Sequence, residues 1–196
     1  MQHERDIDFL FEIGSQRNVP RGWRQHIGFD VASNLEHTMR VVFLALLISR
    51  KMKQGDENLI TKMALLHDLP ETRTSDLSYI QKVYVEEHEE EAIADMFAGT
   101  LFEQDVAALK QYKARESIEA KIVKDADNLD IDLELAEFIE MGSQLAAKWV
   151  GFRRKVRDEK LYTDAAKELW DEIQKSDVAH WHLTANKWVK LPQAGK

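Results

Sequence analysis

Ser33 stands three residues before Glu36, the spacing at which the two side chains close the first turn of a helix on each other. Behind them runs a long apolar stretch that includes residues 41–48, VVFLALLI, and Gly55 supplies a stop. The spacing predicts a helix over about residues 34–53. Because that segment is apolar almost all round, it is expected at the buried centre of the fold. The composition suits such an arrangement. A chain of 196 residues, 44% of them apolar, is long enough for one domain with its own core. Only 8 glycines and 3 prolines argue for helices over turns and strands.

Further helices follow from the same kind of reading. Ile7, Leu10 and Phe11 sit at helical spacing with Gly14 as a stop, so a short first helix is expected. Residues 15–33, SQRNVPRGWRQHIGFDVAS, hold no period and read as a loop. A helix over about 57–68 must end there, because Pro70 disfavours helical geometry before it. Others are expected near 86–98, 103–113, 116–148 and 158–175, with Gly99, Gly142 and Gly151 as candidate breaks. No stretch alternates convincingly, so strands are not expected. The result is an all-α bundle of about six to eight helices. It forms one domain over 1–196, with a core over about 8–175 and a tail, 176–196, packing on the domain or on a partner subunit.

Charge and cysteine content narrow the function. A formal charge of −8 argues against gripping nucleic-acid backbone, although a small anion can still bind where positive charge is concentrated. With no cysteine there is no disulfide or thiolate chemistry, which fits a reducing compartment. The N-terminal MQHERDIDFL lacks a signal-peptide pattern, and residues 41–48 are too few to span a bilayer. A cytoplasmic chain with no membrane partner is expected.

His67 and Asp68 end the second long helix side by side. His67 shares a face with Ile60, Met63 and Ala64, so it should point inward. Asp68 follows Ala64 and Leu65 at the same spacings, and a buried carboxylate needs a cation, a metal or several hydrogen bonds. His37 falls on the stripe of Val41, Leu44 and Ile48. Two buried imidazoles and a carboxylate suit a divalent ion such as manganese, cobalt, iron or zinc. Taken singly, each of these residues is also compatible with an ordinary core histidine or a turn-forming acid. Downstream, AKIVKDADNLDIDLELAEF is rich in acids. It is no calcium loop, because Leu129, Asp130 and Ala136 occupy the fifth, sixth and twelfth positions. As a helix it places Asp125 and Asp127 on different apolar sides, and periodicity alone does not choose between them.

The order EHT (His37), LLHD (His67-Asp68) and KDADNLD resembles the signature of the HD-domain metal-dependent phosphohydrolases. It is closest to the branch that includes bacterial and archaeal 5′-deoxynucleotidases. Pro20-Arg21-Gly22-Trp23, the step His67-Asp68-Leu69-Pro70-Glu71 with Asp76, and Val123-Lys124-Asp125-Ala126-Asp127 match that branch in order, as does the acidic EEHEEEAI segment. The resemblance covers roughly residues 8–140 and implies an HD-domain helical bundle, commonly a homodimer. It implies one divalent transition metal held by His37, His67, Asp68 and Asp127, with Glu71 as the acid/base group. VPRGWRQH is one residue shorter than the usual loop of the branch, which leaves open which arginine meets the substrate.

With such a site the chemistry can be written out. The ion would polarise a phosphoryl group and lower the pKa of water, and Glu71 would protonate the leaving oxygen. Asp76 would assist by positioning water or sharing the proton. Arg17, Arg21, Arg24 and His26 cluster around Trp23, so Arg21 and Arg24 are expected on the phosphate and Trp23 on the base. A tryptophan that merely plugs the core is the alternative. Arg73 and Lys124 are further phosphate candidates, and His180 and His182 beside Trp181 a weaker metal candidate. The expected function is hydrolysis of (deoxy)nucleoside 5′-monophosphates. The alternatives are a phosphohydrolase or phosphodiesterase acting on cyclic nucleotides or alarmones, and a non-catalytic metal or nucleotide sensor.

Overall fold

The computed structural model describes residues 2–184. Its helices are α1 (Gln2–Ser15), α2 (Arg24–Ile27), α3 (Asn34–Met52), α4 (Glu57–Leu66), α5 (Glu71–Thr74), α6 (Glu89–Phe97), α7 (Val106–Ala114), α8 (Ile118–Glu140), α9 (Gln144–Lys160), α10 (Asp164–Ile173) and α11 (His180–Thr184). Eight of them run nine residues or more. Among the described residues the only β pairing is an isolated bridge between Pro20 and Ser33, so the all-α expectation holds. No helix among those residues is long and apolar enough to cross a membrane.

The capping box forms as its spacing requires. Ser33 N donates to Glu36 Oε2 at 2.7 Å and Glu36 N to Ser33 Oγ at 3.4 Å, which fixes where α3 begins. α3 packs along α8, and α4, α7, α9 and α10 gather round that pair. The main core joins Val41, Ala45 and Ile48 of α3 to Ile60 and Met63 of α4 and to Ile122, Val123 and Leu129 of α8. Truncating any one of the larger residues there to alanine removes about 2–5 kcal/mol.

Two expectations need correction. α3 is central but not enclosed: Leu35, Met39, Phe43 and Leu47 lie along one exposed stripe. α1 is longer than the short helix expected and runs through Gly14 to Ser15; Ile7, Leu10 and Phe11 are exposed, while Phe9 and Ile13 pack on Leu69, Ile93, Met96 and Phe97. The cause is Arg5, on the face of Phe9. Its guanidinium donates to the Asp95, Met96 and Ala98 carbonyls at the C-terminal end of α6, where a cation is favoured.

Element boundaries shift for equally local reasons. Gly142, at φ 88°, separates α8 from α9, whereas Gly151 sits inside α9. α10 waits for Thr163, whose hydroxyl accepts from Ala166 N at 3.2 Å. The loop expected over 15–33 contains the short helix α2 and a 3₁₀ turn at Gln16–Asn18. In the tail, α11 is exposed, including Trp181, His180 and His182, and residues 185–196 lie outside the described residues.

Candidate metal centre and the adjoining cavity

Three helices converge on one point. His37 comes from the first turn of α3, His67 and Asp68 from the turn that closes α4, and Asp127 from the middle of α8. One ligand atom from each lies within 4.8 Å of the others, and among the described residues this is the cluster that could hold a metal ion. Its tautomers are fixed from behind. His67 Nδ1 lies 2.8 Å from the Ala64 carbonyl oxygen, which can only accept, so the proton sits on Nδ1. His37 Nδ1 lies 2.6 Å from Asp130 Oδ2, which draws its proton in the same way.

The two Nε2 atoms therefore face each other at 3.2 Å as lone pairs. Asp68 Oδ2 stands 3.3 Å from one and 3.2 Å from the other, and Asp127 Oδ1 stands 3.4 Å from His37 Nε2. With both imidazoles neutral, these four atoms present lone pairs to one point, where a cation would relieve their mutual repulsion. Two imidazoles and two carboxylates are the donor set of a borderline divalent ion, so the residues fit such a metal. Burial pushes the Asp127 carboxyl up, but Lys124, whose Nζ is 2.6 Å away, holds it well below the usual carboxylate range.

α8 also supplies Asp130, which the sequence reading did not single out. It is fully buried between His37 and Arg40, and Arg40 Nη1 continues to Glu137 Oε1 at 3.0 Å. The signal was available: Asp130 follows Asp127 and Arg40 follows His37 by one helical turn, so the two pairs face each other across the α3–α8 contact. Asp125 points elsewhere. It accepts from Tyr162 N, Thr163 N and Thr163 Oγ1 at 2.7–2.8 Å and anchors the entry to α10.

Beside the cluster, Glu71 begins α5 directly after the Pro70 turn and accepts from Asn34 Nδ2 at 2.6 Å. Burial, and then the charges of Asp68 and Asp76, push its carboxyl up to about 10. Arg21 reaches Asp76 Oδ2 at 3.0 Å and Asp68 Oδ2 at 3.2 Å, which joins the loop before α3 to the acids after α4. Gly22 makes that junction possible. A Cβ there would lie 2.6 Å from the Asp76 carbonyl oxygen and 2.7 Å from Ser78 N, and Gly22 N donates to Asp76 Oδ2 at 3.0 Å. Arg24 is not brought in; it is exposed and faces Asp30 at 3.5 Å. Arg73 is likewise outside, paired with Glu12.

Two cavities share Arg21, Asp76 and Ile131. The first, of about 310 Å³, lies over the cluster and is rimmed by Lys82, Lys113, Arg115 and Lys124. The sequence reading looked for cations in the loop at 17–26 and missed Lys82, Lys113 and Arg115, because they come from separate segments that meet only in the fold. The second, of about 530 Å³, is walled by Trp23, His26, Tyr79, Trp149 and Phe152. Trp23 is buried among Ile27, Leu135 and Phe138 while one edge faces this cavity, so it is both a core residue and a wall. Arg21 Nε, Trp23 Nε1 and His26 Nε2 are buried there without a hydrogen-bond partner. Three such nitrogens on one cavity leave it able to bond water or a polar ligand.

Comparison with known proteins follows this geometry. The HD domain family model matches residues 13–175. The chain is 27% identical over 142 residues to the 5′-deoxynucleotidase HDDC2 of Homo sapiens, covering 69% of each chain. To the protein of the same name from Dictyostelium discoideum it is 26% identical over 156 residues, covering 72% of this chain and 82% of the relative. Among solved structures, a conserved hypothetical protein from Pyrococcus furiosus superposes with a TM-score of 0.75 at 24% identity, covering 87% of this chain and 99% of that one. A cyanophage S-2L HD phosphohydrolase, DatZ, bound to dA and one catalytic Zn²⁺ ion, superposes with a TM-score of 0.55 at 16% identity, covering 85% and 96%. At those identities the two structures speak to the fold.

Proposed function

This chain belongs to the HD domain family and is a metal-dependent phosphohydrolase, and we propose that it hydrolyses (deoxy)nucleoside 5′-monophosphates to nucleoside and phosphate. The observation that carries the reading is the pair of joined cavities: a cation-rimmed one over the four converging acceptors, and an aromatic one with orphaned nitrogens beside it. Their spacing separates a phosphate seat from a nucleoside seat. The relatives named 5′-deoxynucleotidase support the same substrate class.

In this reading His37, His67, Asp68 and Asp127 hold one divalent ion of the manganese, cobalt, iron or zinc class. Bound there, such an ion would supply Lewis-acid polarisation of a phosphoryl oxygen and a more acidic water. Lys124 and the Arg115 side of the rim receive the phosphate charge, since a net-acidic protein attracts a dianion only through local charge. Glu71, protonated because its carboxyl is pushed up, donates to the departing 5′ oxygen. Asp76 holds Arg21 and Gly22 in place and shares the acidic load with Glu71. Trp23 and Trp149, with ring centroids 6.1 Å apart, flank the base or sugar, and Arg21 lies between the two seats. Arg24 drops out of the substrate set. The proposal includes a single domain, a homodimer, and a cytoplasmic location that the absence of cysteine supports.

A screen of manganese, cobalt, iron and zinc against ribo- and deoxyribonucleoside monophosphates, read as released inorganic phosphate, tests the reading. Phosphate release with at least one pair supports it. Nucleotide released from cyclic or diester substrates without phosphate from any monoester would make the chain a diesterase. Binding without turnover would make it a sensor.

A further inference from the structure

α3 leaves an apolar row in water although it is the most central helix of the fold. Leu35, Met39, Phe43 and Leu47 recur at every fourth position along one face and are 40%, 60%, 63% and 45% exposed. A helix apolar on every side is normally covered on every side, and among the described residues no other element covers this row. The four side chains leave on the order of 400 Å² of apolar surface exposed, which is already the size of the largest patch a typical monomer keeps.

We propose that this face is covered by the same face of a second copy, with the two α3 helices antiparallel and a two-fold axis passing beside Phe43. The sequence along the row carries the argument. Met39 and Leu47 are equidistant from Phe43, so in an antiparallel pair each Met39 meets a Leu47 and Phe43 meets itself. Glu36 and Arg50 are also equidistant from Phe43, so the acid in the first turn of each helix lies against an arginine in the last turn of the other. A two-fold interface demands such self-complementarity: what one copy offers at one end it must accept at the other. Antiparallel helices also set opposite dipole ends together.

Of the flanking charges, Arg40 is held by Asp130 and Glu137 and Lys51 by Glu172, which leaves Glu36 and Arg50 to take part. Both capping bonds of Glu36 use Oε2, and Arg50 holds Glu57 only in an exposed pair that water screens. The row supplies about half of the ~800 Å² per partner typical of a stable interface, and the polar flanks at Glu36, Arg40, Arg50 and Lys51 adjoin it on either side. The second exposed row, Ile7, Leu10 and Phe11 on α1, has no such internal symmetry. The homodimer is part of the proposed function. The surface assigned here rests on none of the chemistry, and its test reads mass and cross-linking, not turnover.

The chain has no cysteine, so a single introduced thiol can only pair with its own copy. Phe43→Cys, beside the axis, should form a covalent dimer under mild oxidant, while Phe11→Cys on α1 should stay single. Met39→Cys alone should also stay single, because the two copies of that position lie on the order of 12 Å apart along the pair. Phe43→Asp should weaken the dimer about a hundredfold or more by light scattering or sedimentation, with its helical circular dichroism unchanged. A monomeric native chain at tens of micromolar overturns the proposal. So does a native dimer in which Phe11→Cys links and Phe43→Cys does not, and so does a Phe43→Asp variant that remains a dimer. If Phe43→Asp fails to fold, the two cysteine variants decide.

Discussion

α8 carries four buried aspartates in one short stretch, and its two sides put them to opposite uses. Asp127 and Asp130 face α3, where they meet His37 and, beyond it, Arg40. Asp125 and Asp132 face the other way. Asp125 takes two backbone N–H groups and a hydroxyl at the start of α10, and Asp132 takes the Arg153 guanidinium bidentately at 3.0 and 2.8 Å. One residue type, one helix and one degree of burial thus give a ligand-facing side and a fastening side. What separates them is the opposing surface: α3 offers lone pairs that need a cation, while α9 and α10 offer donors that need an acceptor.

The widest gap between the sides should appear in a paired substitution. Asp127→Ala is expected to lose metal and activity to below detection, with the fold intact in urea. Asp125→Ala is expected to keep metal and lose about 2–4 kcal/mol of stability, since it strands the Tyr162 and Thr163 N–H groups. Elemental analysis and urea melts read both. If Asp125→Ala empties the site and Asp127→Ala does not, the two sides have been assigned the wrong way round.

Glu71 extends the ligand-facing side onto another element. Glu71→Gln should keep metal and cut kcat by about 10² or more. The sign of its pH dependence follows from its environment. Burial and two carboxylates raise its pKa, so the proton that the proposed reaction would draw on is present at neutral pH and is lost as pH rises through that value. The alkaline limb of kcat should therefore vanish in the glutamine variant. Retention of that limb would assign it to another group.

Asp130→Asn tests whether a buried aspartate can act without touching the ion. Metal affinity should fall about 10- to 100-fold, and saturating metal should restore most of the turnover. No change in affinity would move Asp130 to the fastening side. In the aromatic cavity, Trp149→Ala should lower kcat/KM for nucleotides about tenfold while sparing a small generic phosphate ester. Equal losses on both substrates would make Trp149 structural. Smallest of all, Arg24→Ala should change nothing beyond about twofold in nucleotide kcat/KM, since an exposed pair with Asp30 is all it gives up.

The sequence carried the all-α class, the capping box of α3, the stop at Pro70, and the inward turn of His37 and His67, because each depends on local spacing. Choosing between Asp125 and Asp127 was beyond periodicity, since both sides of α8 are apolar and only the neighbouring elements tell them apart. Lys82, Lys113 and Arg115 were invisible for a similar reason: nothing in their local context marks them, and tertiary packing alone gathers them. The exposed row on α3 was missed because apolar spacing reports that a face wants cover without reporting what covers it.

The contact at Gly22 divides the aromatic cavity into a wall that cannot vary and a wall that can. No side chain fits between Gly22 and the backbone at 76–78, so the loop bearing Arg21 and Trp23 is tied to the acids beside the metal centre. The opposite wall, Trp149 and Phe152, is a pair of side chains on one turn of α9, with Phe152 largely in solvent. Under the proposed function, drift in base preference would have a route through α9 that leaves the phosphate chemistry untouched. A lineage of such chains could change its nucleoside one α9 substitution at a time.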